Sequence, residues 1–196
     1  ANNITTVVFD KTGTLTNGKP EVTDIIPFVI PAEAGIHKEK ILKQVQDDML
    51  RLAASLEKGS EHALADAIVK KAEEEKISLE KVEGFEAIAG KGVSGIIQKQ
   101  RVLLGNRRLM EMEKIKLLKQ IQDDSKRLEA EGKTVVFLAL SQRHSERSEE
   151  SPILGVIAVA DTIKESAKAG VAALQQMGIA VSMVTGDNKR TADAIA

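Results

Sequence analysis

Asp10 stands at the end of a short apolar run, Val7-Val8-Phe9, and is followed by Lys11-Thr12-Gly13-Thr14-Leu15-Thr16. A carboxylate in that position constrains the fold, because ligands of open α/β sheets bind at the carboxyl ends of the strands. An aspartate can also attack a phosphoryl group and form an acyl phosphate. Lys11 brings charge to offset a phosphate, and Gly13 lets the chain turn sharply so that backbone N–H groups face the oxygens. A surface turn with an incidental aspartate is the alternative reading.

The pattern along the chain predicts two kinds of sheet. Ile4 to Phe9 reads as a buried strand, Thr12 to Pro20 as loop and Glu21 to Pro27 as the next strand. Residues 28–40, with Pro31 and Gly35, read as loop. Ile41, Val45, Met49, Leu52, Ala53 and Leu56 recur at helical spacing, and Ser60 is the expected N-cap of a second helix reaching Glu74. Alternation from Leu79 to Ile97 and over Arg101 to Leu104 predicts strands, and Gly105-Asn106 opens a helical region to Ala130 with a break near Lys114. Thr134 to Leu140 and Ile153 to Ala160 predict two more strands around a polar hairpin loop over 141–151.

The last stretch changes character. Lys164 to Met177 predicts an amphipathic helix and Ile179 to Val184 a strand, with Thr185-Gly186-Asp187 at its end and a helix capped by Asp187 or Asn188 after it. That order predicts a parallel sheet with crossovers, in which the strand before Thr185 neighbours the strand carrying Asp10. One α/β domain then forms from both chain ends, with the middle of the chain inserted as an α+β domain. The segment Lys38–Asp48 is echoed by Lys114–Asp124, which reads as two ordinary amphipathic helices and carries no function.

Composition removes several function classes. Among 196 residues, 28 Lys plus Arg face 29 Asp plus Glu, a formal charge of −1, which argues against a nucleic-acid surface built on bulk positive potential. Aromatics are 2%, with no Trp or Tyr, so base-stacking platforms are not expected. The absence of cysteine removes disulfides, thiolate metal sites and thiol nucleophiles. No apolar run reaches the roughly 18 residues of a membrane span. The start, Ala1-Asn2-Asn3, has neither an initiator Met nor a signal-peptide pattern and reads as the beginning of an excised segment.

Taken together, Asp10-Lys11-Thr12-Gly13-Thr14-Leu15-Thr16, Thr185-Gly186-Asp187, Asp161-Thr162-Ile163-Lys164 and Ser60-Glu61-His62-Ala63-Leu64-Ala65 resemble signatures of heavy-metal-transporting P-type ATPases, most closely the copper-exporting branch. The likeness extends over residues 1–27 and 50–196. It implies a haloacid-dehalogenase-like parallel-sheet phosphorylation domain, incomplete here, from residues 1–20 and 152–196. A nucleotide-binding α+β domain on an antiparallel sheet is implied over 21–151.

The same resemblance implies residue roles. Asp10 matches the phosphorylated aspartate, Lys11 the lysine near the phosphate, and Thr12 the residue whose backbone carbonyl joins Asp10 in holding Mg²⁺. Thr185 and Gly186 match phosphoryl contacts, and Asp187 completes that motif. Asp161 to Lys164 matches the return from the inserted domain, with an N-cap at Asp161 as the plainer reading. Glu57, His62, Gly90, Gly92 and Asn106 match elements that hold ATP, His62 contacting adenine. Related phosphatases carry a second Asp where Thr12 stands, and threonine cannot replace it in proton transfer. Ala63 replaces the usual proline, which loosens the placement of His62. Residues 28–49 and 141–152 lack clear counterparts and are expected to be peripheral.

The implied whole is an ATP-driven exporter with Cu⁺ as the leading metal, this chain being its cytoplasmic portion. Its partners are ATP and the transmembrane and actuator domains of the parent pump, with the transported metal bound outside this chain. A later lysine and a Gly-Asp-Gly motif that complete Mg²⁺ binding in the family are not in the sequence. A Zn²⁺ or Cd²⁺ pump, a soluble aspartate-nucleophile phosphatase and a non-catalytic nucleotide-sensing module are the alternatives.

Overall fold

The computed structural model describes residues 4–28, 38–141 and 153–184. Strand β1 (Thr6–Asp10) enters an irregular turn over Lys11–Leu15 and continues into β2 (Thr16–Pro27). Helices α1 (Lys38–Glu57) and α2 (Ala63–Glu74) follow, then strands β3 (Glu83–Ile88), β4 (Gly92–Ile97) and β5 (Gln100–Gly105). Helices α3 (Arg107–Met112) and α4 (Lys119–Ala130) precede β6 (Thr134–Ser141) and β7 (Ile153–Ile163). Helix α5 (Glu165–Gln176) and strand β8 (Ala180–Val184) complete the described chain.

Two sheets result. β1 and β8 pair in parallel, Thr6 with Ala180 through Asp10 with Val184, as the helix-strand order predicts. The other six strands form an antiparallel sheet in the order β2-β7-β6-β5-β4-β3.

Its central strands carry continuous apolar runs, such as Val135–Leu140 and Val156–Ala160, because both faces are covered there. Val102, Leu104, Val136, Leu138, Ile157 and Val159 pack with α1 and α2, whereas Leu103, Val135, Phe137, Ala139, Val156 and Ala158 pack with α3 and α4. Adjacent residues of one strand thus enter different cores, as the period of 2 requires.

β2 and β7 pair along nearly their whole length, from Thr16 opposite Ile163 to Pro27 opposite Gly155. β2 therefore begins at Thr16, not Glu21, and the expected loop over Thr12 to Pro20 is strand in its second half. Partner strand β7 supplies the reason, since it offers hydrogen bonds to a stretch whose composition alone reads as turn. Close approach here needs Gly155 (φ +153°), where a Cβ would lie 2.3 Å from the Ile26 carbonyl oxygen.

Other boundaries also moved. α1 starts at Lys38, and residues 29–37 and 142–152, which carry most of the expected loops, lie outside the described residues. The break near Lys114 is present, with Lys114 at φ +57°. Because of it, the second copy of the echoed segment is helical only from Lys119, while its Ile115 is drawn into the core beside α3. A closely similar local pattern diverges there, since Ile115 stands where the first copy has Glu39.

Ser60 does not cap α2. Its N–H donates to the Glu57 carbonyl at 2.9 Å, closing the turn after α1, and His62 occupies the N-cap position. His62 has φ −107° and ψ 144°, the extended conformation that a residue before proline must adopt. Ala63 is the first helical residue, where proline's fixed φ is already helical. Ala63→Pro is therefore expected to stabilise the protein by about 0.4–1 kcal/mol in urea unfolding, through a less free unfolded chain. A drop in stability would show that the α2 entry is incompatible with proline.

Candidate functional site

Asp10 is the last residue of β1 and its side chain is exposed. The turn after it folds back tightly: Gly13 adopts φ +77°, and the Thr16 N–H returns to the Lys11 carbonyl. Thr12 is exposed, whereas Lys11 is only 7% exposed. The turn thus presents the carboxylate and a run of backbone to solvent and carries its lysine beneath.

Thr16, fully buried, organises this turn. Its hydroxyl accepts from the Gly13 N–H at 3.2 Å and lies 2.5 Å from Asp161 Oδ2 and 3.1 Å from the Lys11 carbonyl oxygen. A hydroxyl has one proton, and the shorter contact to a charged oxygen takes it. Asp161 Oδ1 accepts from the Gly18 N–H at 2.9 Å, so both carboxylate oxygens hold the start of β2. Lys164 closes the other side, donating from Nζ to the Gly13 carbonyl at 2.6 Å and from its N–H to the Leu15 carbonyl at 2.9 Å.

These contacts revise one reading. Asp161 lies within β7, and the N-cap of α5 is Lys164, so Asp161 does not start that helix. Its role is to anchor the Asp10 turn to the return strand. Thr16 and Gly18 were not singled out from sequence. Thr16's place in the motif after Asp10 was the available signal, but its partner is 145 residues away. Thr185, Gly186 and Asp187 lie outside the described residues, although Val184, which precedes them, pairs with Asp10.

The second group of residues gathers on the β3–β4 hairpin. Asn106 donates from Nδ2 to the Gly90 carbonyl at 2.9 Å and from its N–H to the Lys91 carbonyl at 2.8 Å. Its Oδ1 accepts from the Leu109 N–H and so caps α3. Gly90, at φ +68°, faces open space, while a Cβ on Gly92 would meet the Leu104 carbonyl oxygen at 2.2 Å. Gly90 therefore leaves room at the hairpin tip, and Gly92 is glycine because the neighbouring strand approaches closely.

Glu57 and His62 flank the turn between α1 and α2. Glu57 is 7% exposed, and burial pushes its carboxyl above the ordinary value, with Ser60 and His62 beside it acting in the opposite direction. His62 is exposed. The turn borders the hairpin, because Leu56 packs where a Cβ on Gly95 would lie and Gly59 packs on Phe85. Four of the five predicted nucleotide elements thus divide between two adjoining places, Gly90 hydrogen-bonded to Asn106 at the hairpin and Glu57 with His62 at the two ends of the turn between α1 and α2.

A family model described as haloacid dehalogenase-like hydrolase matches residues 4–196. The chain belongs to that family. Within the haloacid dehalogenase-like hydrolases it is similar to a protein of Archaeoglobus fulgidus named a probable copper-exporting P-type ATPase, 45% identical over 195 residues. That match covers 100% of this chain and 21% of the relative. A copper-exporting P-type ATPase of Bacillus subtilis is 41% identical over 194 residues, covering 97% of this chain and 21% of that protein.

Among solved structures, a zinc-transporting PIB-type ATPase in its E2.Pi state superposes with TM-score 0.78 at 32% identity, covering 98% of this chain and 27% of that one. The chain therefore spans about a fifth of the length of the curated relatives it matches. Among the described residues, no helix is long and apolar enough to cross a membrane.

Two outcomes follow for the anchors. Thr16→Val keeps the side-chain shape but removes the charge-assisted hydrogen bond to Asp161, and is expected to cost about 1.5–3 kcal/mol in urea unfolding. Cost near zero would show that the bond contributes nothing to the turn.

For Glu57, a carboxyl raised in the folded state contributes stability below its ordinary 4.5 and loses it as pH rises through the folded value. The stability of wild type relative to Glu57→Gln should therefore fall as pH increases from about 4.5. A pH-independent difference between the two would mean that Glu57 titrates normally.

Proposed function

We propose that the chain is the ATP-binding and phosphoryl-accepting portion of a heavy-metal-exporting P-type ATPase, with Cu⁺ as the leading cargo. The observation that carries the reading is an exposed aspartate at a strand's carboxyl end, on a turn locked to a distant strand by Thr16 and Asp161. The same chain holds the glycine-rich hairpin and the Glu57–His62 turn. Likeness to relatives named copper-exporting P-type ATPases supports the assignment of the pair to one enzyme. In this reading the phosphorylation domain is built on the β1–β8 pair and the nucleotide-binding domain on the six-stranded sheet, so that β7 (Ile153–Ile163), expected within the phosphorylation domain of residues 1–20 and 152–196, belongs with the sheet of the other, expected over 21–151.

In the proposed reaction ATP lies along the hairpin with its γ-phosphoryl group directed at Asp10. A carboxylate oxygen of Asp10 forms the new bond to phosphorus as the bond to the β-phosphate bridging oxygen breaks, and ADP departs with that oxygen. Catalysis of this kind rests on position and electrostatics, to which Lys11 contributes charge and the turn backbone contributes N–H groups. Thr12 in place of a second acid removes a proton-transfer group for hydrolysis, which opposes a soluble phosphatase and suits a longer-lived intermediate.

Mg²⁺ fits the donor set on hand. Among the described residues no group of three or more His, Cys, Asp or Glu side chains is placed so that it could hold a metal ion. Asp10 and the Thr12 carbonyl offer the small, all-oxygen set with which Mg²⁺ is held alongside substrate phosphates. Bound there, the ion would neutralise charge between the carboxylate and the phosphoryl oxygens.

The transmembrane and actuator domains of the parent pump are the proposed partners, and this portion lies on the cytoplasmic side of the membrane. A Zn²⁺ pump is the second reading, favoured by the fold likeness to the zinc-transporting ATPase. Metal-selecting residues belong outside this chain in both cases.

Asp10→Asn is expected to abolish acid-stable ³²P labelling from γ-labelled ATP in the parent protein while sparing ATP binding by this chain. His62→Ala is expected to weaken ATP binding, read by amide NMR shifts at Glu57, Gly90 and Gly92. Labelling that persists in Asp10→Asn would remove Asp10 as the acceptor.

A further inference from the structure

The tip of the β3–β4 hairpin carries a cation of its own. Lys91 stands between Gly90 and Gly92, and its Nζ lies 3.2 Å from Sδ of Met112, the last residue of α3. A lysine ammonium has three N–H donors, whereas a thioether sulfur is a weak acceptor. Lys43, Lys70, Lys71 and Lys133 sit on carboxylates. Among the described residues Lys91, by contrast, has no ion pair, and Met112 is its side-chain partner.

The same helix holds the tip from its other end. Asn106, the N-cap of α3, donates to the Gly90 and Lys91 carbonyls. The helix between Asn106 and Met112 spans about 9 Å, so α3 grips the hairpin at two separate points, one by firm hydrogen bonds and one by a weak contact. Met112 is 45% exposed, whereas Met110 of the same helix and Met49 are buried. An exposed thioether is open to oxidants, and its sulfoxide is polar. The weak contact is therefore the one that chemistry can change.

We propose that Met112 is an oxidation site through which a hydroperoxide tightens the hairpin tip onto α3. The sulfur lone pair attacks one peroxide oxygen, the O–O bond breaks, and the departing oxygen takes up the proton left on the transferred one. The thioether is thereby oxidised by two electrons to a sulfoxide, and the hydroperoxide is reduced to water or an alcohol. The sulfoxide oxygen gives the Lys91 ammonium a strong acceptor in place of a weak one, and hydrogen bonds from a charged donor are the strong kind. Methionine sulfoxide reductases undo the change. A second consequence rests on the nucleotide reading given under Proposed function: an ammonium held on α3 is withdrawn from the phosphates, so the oxidised chain binds ATP more weakly.

The test is treatment of the purified chain with hydrogen peroxide in a Met177→Leu background, because Met177 is also exposed. Peptide mass mapping should find the added oxygen on Met112 before Met49 or Met110. In the oxidised chain the Asn106 N–H, which donates to the Lys91 carbonyl, should exchange with solvent about threefold or more slowly. Adding Met112→Leu, a swap that keeps the side-chain volume, or Lys91→Ala should abolish the slowing, and methionine sulfoxide reductase should reverse it. ATP affinity, read by calorimetry, should fall on oxidation only in the chain that carries both Met112 and Lys91.

Oxidation that reaches Met49 or Met110 first, Asn106 exchange that oxidation leaves unchanged, or slowing that persists in Met112→Leu or Lys91→Ala overturns the proposal. Slowed exchange with unaltered ATP affinity upholds the oxidation site and overturns its effect on the nucleotide. A wild-type chain that binds no ATP overturns the nucleotide reading, and the Met112–Lys91 link then stands or falls on the amide exchange.

Discussion

The pairing of β2 with β7 is the constraint on which the other features depend. Its inner end lies in the six-stranded core, where Gly155 lets the strands meet, and its outer end delivers one strand to the Asp10 turn and the other to α5. Thr16 and Asp161 join the two strands at that outer end through a hydrogen bond between a fully buried hydroxyl and a carboxylate. Such bonds are stronger than neutral ones, and the loss of one partner would strand the other. The position of the Asp10 carboxylate is therefore set from the return strand, not by local sequence alone.

The same strand pair is held laterally. Lys133, at the end of α4, donates to Asp24 of β2 at 2.7 Å across 109 residues of sequence. Burial works against ionisation of Asp24, but the hydrogen bonds from Lys133 and Thr23 outweigh it, and the carboxyl is held below its ordinary value. On the other face, Gln46 of α1 donates to the Ile25 carbonyl at 2.8 Å, satisfying an acceptor at the sheet edge. Exposed edges invite foreign strands, and a covering helix with polar contacts is one way to block them. Glu57 at the end of α1 contrasts with these satisfied groups, since burial raises its carboxyl.

Much of this was legible in the residues. Apolar runs such as Val135 to Leu140 and Ile153 to Ala160 announce strands buried on both faces, and the helical periods of α1 and α5 stand out against polar neighbours. The Asp10 motif and the strand before Thr185 led to their parallel pairing. What escaped depends on partners distant in sequence. Thr16 to Pro20 looks like loop until β7 is placed beside it, and Ser60 looks like a cap until its N–H is seen closing the preceding turn on Glu57. Lys114–Asp124 repeats a helical pattern yet loses its first turn, because burying Ile115 offsets the cost of a lysine at positive φ.

By itself the sequence determined the types of the elements, through hydrophobic periods of 2 and 3.6 residues, and the chemistry available, through Asp10, Lys11, Thr12 and the glycines of the hairpin. Those signals are local, so they survive without knowledge of neighbours. Tertiary structure alone decided the two-sheet division, the anchoring of the Asp10 turn by Asp161 and the raised carboxyl of Glu57. Each of these depends on which distant groups share a dry interior or a hydrogen bond, and only the folded chain brings those groups together.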